Sequence, residues 1–267
     1  TNTGTLGNAG TAVGTGPDGR AASGDELTLT GTDAPEVELI GPGGASLAGA
    51  SPNCFRVDAA NVEIRGFVIR SFNTAAITSL LGANSAGLIV ENNLFGLPTA
   101  LTPLPTNNQR LARGVSLFGV QTGGTGASIR RNLFGLTRNG AVFINGNDQN
   151  SVISATIENN EIQRAGSGNN ADPAPTGAAI SATGEFSNLT VQQNLIGVAN
   201  TTGDYNGVGI TYTSANAGNN PATSNILNNT FSAIAGYSVL VAGGATESQN
   251  KRGTIGRFHF QAAVAVH

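Results

Sequence analysis

Methionine and tryptophan are absent from these 267 residues, lysine occurs once, at Lys251, and cysteine once, at Cys54. A single cysteine excludes an internal disulfide, and within Cys54-Phe55-Arg56-Val57 it reads as a small apolar strand residue rather than a reactive thiol. Charge is scarce too, with 13 basic and 16 acidic side chains giving a net −3. A nucleic-acid binder needs a basic patch or stripe, so this balance argues against nucleic acid as a partner. No apolar run is long enough to span a bilayer as a helix, and no charged-then-apolar leader stands at the start. We therefore expect no membrane span in this segment. The chain opens on Thr1-Asn2-Thr3-Gly4 and stops on Ala265-Val266-His267 with no polar cap there, as a mature or excised piece of something longer would.

What is abundant is glycine, 38 residues, about twice the usual share of roughly 7%. Asparagine is frequent as well, yet Val, Ile, Leu and Phe recur at fixed offsets. Six phrases repeat: IRGFVI, VENNLFG, IRRNLFG, IENNEIQ, VQQNLIG and ILNNTFS. They start at Ile64, Val90, Ile129, Ile157, Val191 and Ile226, which are 26, 39, 28, 34 and 35 residues apart. Periods of this size mark stacked supersecondary units rather than a single globule.

Setting the phrases over one another gives columns. The starting column is uniformly β-branched and suits an inward strand position. The next holds Arg65, Glu91, Arg130, Glu158, Gln192 and Leu227, and since adjacent rungs lie about 4.8 Å apart, opposite charges would pair along the stack. Three places after the start stand Phe67, then Asn93, Asn132, Asn160, Asn194 and Asn229. Five asparagines in six rungs indicate a turn that tolerates left-handed backbone and a side-chain ladder from rung to rung. Ile69, Phe95, Phe134, Ile162, Ile196 and Phe231 follow as a core stack.

Between the phrases lie Gly114-Val115-Ser116-Leu117, Gly140-Ala141-Val142-Phe143, Gly177-Ala178-Ala179-Ile180, Gly207-Val208-Gly209-Ile210 and Gly236-Tyr237-Ser238-Val239. Each reads as a third strand. Long connections at 98–112, 165–176 and 199–206 carry the insertions on one side. Leu27-Thr28-Leu29, Val37-Glu38-Leu39-Ile40 and Phe55-Arg56-Val57 look like one or two degenerate early rungs, and Arg257 to Val266 alternates as a strand that could close the stack. We expect a lead-in or cap over 1–24 and a single domain over 25–267, all-β, with three strands per rung and about seven to eight rungs.

These features resemble the right-handed parallel β-helix repeats of pectate-lyase-like proteins, over roughly residues 25–245. The resemblance implies that fold, and it leaves function open, because lyases, hydrolases, adhesins, tailspikes and structural stalks share it. Glycine-rich versions of such repeats occur in large bacterial surface proteins. Polysaccharide lyases of this fold bind Ca²⁺ through acidic side chains on one strand face and use Arg or Lys as base, and the hydrolases use clustered Asp. With the third strands aligned on their glycines, the outward face here is Ser116, Val142, Ala179, Gly209 and Ser238, which can neither ligate nor transfer protons.

Several residues remain as candidates. Glu158 and Glu161 with Arg130 and Arg131 could form an acid/base pair, although a solvated charge ladder, together with Glu63, Glu91, Arg65, Arg70 and Arg164, explains the same residues. Asp172 and Asp204 lie in neighbouring insertion loops, as sugar or cation contacts or as turn formers. Asn145-Gly146-Asn147-Asp148 offers oxygens of the kind Ca²⁺ accepts, with Asn147 and Asp148 as the metal candidates, or is a plain Gly/Asn turn. His259 and His267 have no Cys or acidic partner at metal-ligand spacing. Tyr205 and Tyr212 could stack on a sugar ring, or pack internally. Three Asn-x-Ser/Thr sequons begin at Asn188, Asn200 and Asn228.

The sequence thus leads to a non-catalytic, extracellular or cell-surface β-helix segment, structural or adhesive, of a larger surface protein, with other protein chains or domains, or polysaccharide, as partners. Its alternatives are a polysaccharide lyase or glycoside hydrolase, and a carbohydrate-binding module.

Overall fold

The structure is a computed structural model that describes residues 6–7, 28–29, 37–41, 53–79, 86–96, 110–118, 126–135, 137–146, 153–163, 165, 177–184, 186–197, 208–214, 224–231, 237–242, 246–248 and 251–252. Among them every regular element is a strand. β1 (Leu6–Gly7) and β2 (Thr28–Leu29) form a small antiparallel ribbon, and β3 (Val37–Ile40) begins the stack. Seven full rungs follow. The first is β4 (Phe55–Val57), β5 (Glu63–Arg65) and β6 (Phe67–Arg70); the second is β7 (Ile77–Ser79), β8 (Ile89–Glu91) and β9 (Leu94–Phe95). The third is β10 (Val115–Phe118), β11 (Ala127–Arg130) and β12 (Leu133–Phe134); the fourth is β13 (Val142–Gly146), β14 (Ile153–Glu158) and β15 (Glu161–Ile162). The fifth is β16 (Ala178–Gly184), β17 (Phe186–Gln192) and β18 (Leu195–Ile196); the sixth is β19 (Val208–Ser214), β20 (Asn225–Leu227) and β21 (Thr230–Phe231). The seventh is β22 (Val239–Ala242), β23 (Thr246–Ser248) and β24 (Lys251–Arg252).

First strands pair with first strands, second with second and third with third, giving three parallel sheets, I, II and III, of seven, seven and eight strands. This is a parallel β-helix solenoid with three strands per rung. The six phrases are the sheet II–sheet III corners, and their register follows the columns: Ile64, Val90, Ile129, Ile157, Val191 and Ile226 are successive Cα partners. All six are buried, as are Ile69, Phe95, Phe134, Ile162, Ile196 and Phe231 in sheet III. Each such side chain contributes roughly 1.5–3 kcal/mol by leaving water. Phe95 and Phe134 stack with centroids 4.8 Å apart and planes 17° apart.

The corner divides labour between two residues. The left-handed backbone falls one place before the Asn column, at Asn92, Arg131, Asn159, Gln193 and Asn228, with φ between 53° and 56°, and at Gly66 with φ 75°. Our assignment of that conformation to the ladder asparagines is therefore corrected: a positive φ turns the chain, and the following Asn points inward to bond along the axis. The backbone N–H groups of Asn93, Asn132, Asn160 and Asn194 donate to Oδ1 of Asn132, Asn160, Asn194 and Asn229, at 3.0–3.1 Å. Their Nδ2 groups donate to the same Oδ1 atoms and to the carbonyls of Ile64, Val90, Ile129 and Ile157.

The strands of sheet I, read from the sequence as the third of each rung, need a correction of register. Val115 pairs with Val142, Val142 with Ile180, Ile180 with Ile210 and Ile210 with Val239. Gly114 thus aligns with Ala141 and not with Gly140. Val142 and Ala179 are buried rather than outward, and the outward column is Arg56, Thr78, Ser116, Phe143, Ser181, Thr211 and Leu240. At Val142 the slip is one residue, which exchanges the two faces of a strand; at Ala179, Gly209 and Ser238 it is two, which shifts the outward column to Ser181, Thr211 and Leu240. Insertions also occupy two corners rather than one. Strands of sheets I and II are joined by one residue between Gly184 and Phe186 but by a long segment between Ser214 and Asn225.

The early region differs as well. β2 pairs with β1 outside the stack, so Leu27-Thr28-Leu29 is not a rung, whereas Phe55–Val57 belongs to a complete one. At the other end, Ile226 pairs with Glu247 and Phe231 would align with Arg252, which the register confirms. This places Gln249-Asn250 between β23 and β24, at the sequence positions of Gln193-Asn194. The seventh phrase, TESQNKR, escaped the sequence reading because Glu247 and Arg252 stand at the register positions of Ile226 and Phe231. Residues 257–266 lie outside the described residues.

Candidate functional site

The second column of the phrases lies on the outer face of sheet II, where Glu91, Arg130 and Glu158 are engaged along the axis and Arg65 within its own strand. Glu91 ends β8 and is only 5% exposed. Its Oε2 accepts from Arg130 Nε at 2.6 Å and its Oε1 from Arg131 Nη2 at 2.9 Å. Burial alone would raise the Glu91 pKa, but the hydrogen bond and charge of Arg130 and the charge of Arg131 outweigh it and hold the carboxyl below its ordinary value. Glu158, a Cα partner of Arg130, accepts from Gln192 Nε2 at 2.8 Å. Arg65 pairs with Glu63, and Arg70 Nε lies 2.5 Å from Glu38 Oε1.

The corner separates the two glutamates nominated as an acid/base pair. Glu158 ends β14 in sheet II, and Glu161 opens β15 in sheet III, in register with Leu133 and Leu195. Glu161 is buried and accepts from Gln163 Nε2. Among the described residues, the ion pairs of Arg130 and Arg131 go to Glu91. Arg130 and Arg131 are held by Glu91 of the rung before and Glu158 by Gln192 of the rung after, whereas Glu161 lies buried on the other side of the corner.

Tyr212 is corrected from a sugar platform to a core residue. It lies on the inward side of β19, in register with Ala182 and Val241, is 1% exposed, and its hydroxyl is 3.0 Å from Ser224 Oγ. The small Ala182 leaves room for the ring. Cys54 packs half-buried against the same core, and burial pushes its thiol up to about 11, which keeps it protonated at neutral pH. Asn188 is exposed on β17, and Asn228 is exposed at a left-handed corner with φ 54°. Asn147, Asp148, Asp172, Asp204, Tyr205, Arg164, Asn200, His259 and His267 lie outside the described residues.

The sequence reading missed a cluster on the outer face of sheet I. Phe143 is half-buried there, its ring 5.6 Å from that of Phe118, and the Arg113 guanidinium carbon sits 4.1 Å over its centroid. Ser116 pairs with Phe143, and Phe118 with Asn145. Aligning the third strands on their glycines had turned Phe143 inward. The alternation of Val142, Phe143, Ile144 and Asn145, read without the glycines, carried the correct signal. Among the described residues no group of three or more His, Cys, Asp or Glu is placed to hold a metal, and no helix is long and apolar enough to cross a membrane. Comparison of the chain with models of protein families, with curated proteins and with solved structures found no match.

Proposed function

We propose that this chain is a non-catalytic β-helix segment with a structural or adhesive role, displayed outside the cell as part of a larger surface protein. The observation that supports this reading is the use made of the charged side chains on sheet II. Glu91 holds Arg130 and Arg131 of the next rung, and Glu158 accepts from Gln192 of the rung after its own, so groups that could work on a substrate instead tie neighbouring rungs of a rod. A rod of seven matched rungs presents long faces at fixed spacing, which suits attachment to other chains, domains or a polysaccharide.

Incubating the purified chain with pectate, alginate, hyaluronan and xylan tests the reading, with absorbance at 235 nm for unsaturated ends and a reducing-end assay as readouts. We expect no turnover with or without added Ca²⁺. Turnover abolished by Glu158→Gln or Glu161→Gln would replace it with the lyase or hydrolase reading.

A further inference from the structure

The Arg113–Ser116–Phe143 cluster contains hydrogen-bonding groups with nothing to bond. Arg113 Nε, Ser116 Oγ and Asn145 Oδ1 are each buried at the atom and have no hydrogen-bond partner. Orphaned buried polar atoms are rare, and each calls for an explanation such as an ion or water held at the site. These three adjoin one ring. Ser116 is the Cα partner of Phe143, Asn145 is the next outward residue along β13, and the Arg113 guanidinium lies over the ring itself. Arg113 is half-buried, and among the described residues it has no ion pair with a carboxylate. A cation taken partly out of water without a counter-charge is costly, and burial accordingly pulls the Arg113 pKa below its ordinary value. Ser116 is 1% exposed and forms the floor. Arg113, Phe143 and Asn145 are only partly buried, so the cluster opens toward solvent.

We propose that this cluster on the outer face of sheet I, between the third and fourth rungs, is a binding site for a single carboxylate group, held by Arg113 and Ser116 against the edge of Phe143. The donor set selects the ligand class. A guanidinium edge matches the two oxygens of a planar carboxylate, the Ser116 hydroxyl can donate to one of them, and the ring beneath holds the guanidinium by its face. One cation calls for a monoanion rather than a doubly charged phosphate. The carboxylate can belong to a small acid or to an acidic side chain on another polypeptide, and the two sources are distinguished below.

The test titrates the wild-type chain with sodium acetate against sodium chloride at equal ionic strength. It follows the Arg113 Nε–H resonance by NMR and the melting temperature in parallel. Acetate should shift that resonance saturably and raise the melting temperature, as any ligand of the folded state does. Arg113→Gln should abolish the rise in melting temperature, Arg113→Lys should weaken binding about tenfold by removing the fork, and Ser116→Ala should weaken it several-fold. Saturation by acetate alone assigns the site to small acids. Tighter binding of a ten-residue poly-Glu peptide, with the same dependence on Arg113, assigns it to an acidic polypeptide. Acetate and chloride acting alike on the wild type would overturn the proposal, and so would an acetate response surviving in Arg113→Gln. The wild-type NMR titration decides even if the variants fail to fold. Its outcome is independent of whether the chain turns over a polysaccharide.

Discussion

Asn160 shows how much of the scaffold one side chain can hold. Its Oδ1 accepts from Asn132 N and Nδ2, and its Nδ2 donates to Ile129 O and Asn194 Oδ1. Asn160→Ala should strand these groups inside the corner and cost about 3 kcal/mol, measured by urea denaturation. Glu91 gives a pH-dependent counterpart. Its carboxyl is held below the ordinary 4.5, so the stability it supplies is present above that value and is lost as the pH falls through the folded pKa. Glu91→Gln should cost about 1–3 kcal/mol at pH 7. The gap between variant and wild type should narrow as the pH drops below 4.5 in the same denaturation series. Both residues could be picked out from their columns. The role of Tyr212 could not, because nothing in the chain's local pattern shows that Ala182, 30 residues earlier, is the small neighbour that makes room for it.

The element that repeats is a two-residue corner in which conformation and bonding fall to different positions. Gln193 carries the left-handed backbone, with φ 55°, and is exposed. Gln193→Gly should therefore stabilise by roughly 0.5–1 kcal/mol, whereas Gln193→Val should destabilise by about 1–2 kcal/mol, both read from thermal melts. The approach to sheet I is constrained differently. A Cβ on Gly209 would lie 2.5 Å from Ser238 O and 2.7 Å from the Phe231 ring. Gly209→Ala should cost about 1–3 kcal/mol by overpacking, and Phe231→Leu in the same chain should recover only part of it, because the Ser238 carbonyl remains; chemical denaturation of both variants checks this. The phrases made the corner legible, since Asn and aliphatic residues recur in step. The strands of sheet I were misaligned, by one residue at the fourth rung and by two at the fifth to seventh, because glycine marks different places at different rungs: Gly114 and Gly209 sit beneath an aromatic ring, while Gly140 has φ 131°.

At the scale of the whole molecule, stability should grade along the axis, since each rung touches only its neighbours. Native-state hydrogen exchange checks this: the amides of Asn132 and Asn160, in the middle of the ladder, should exchange slowest, and those of Phe67 and Thr230 faster. Uniform exchange through all rungs would show a single cooperative unit instead. The sequence by itself determined the rung, because a β-branched residue, an inward Asn and a large apolar residue at fixed offsets satisfy burial and hydrogen bonding only when copies stack. Of the charge alternation it suggested, one step, Glu91 with Arg130, pairs along the stack. Tertiary structure decided which residues of sheet I face outward, that the carboxylate of Glu91 is shared by Arg130 and Arg131, that Tyr212 is core, and that Arg113, Ser116 and Phe143 meet. Those outcomes depend on the register between strands separated by insertions of unequal length. A period-two strand reverses its faces with a slip of one residue, so inter-strand hydrogen bonds, and not local pattern, settle them.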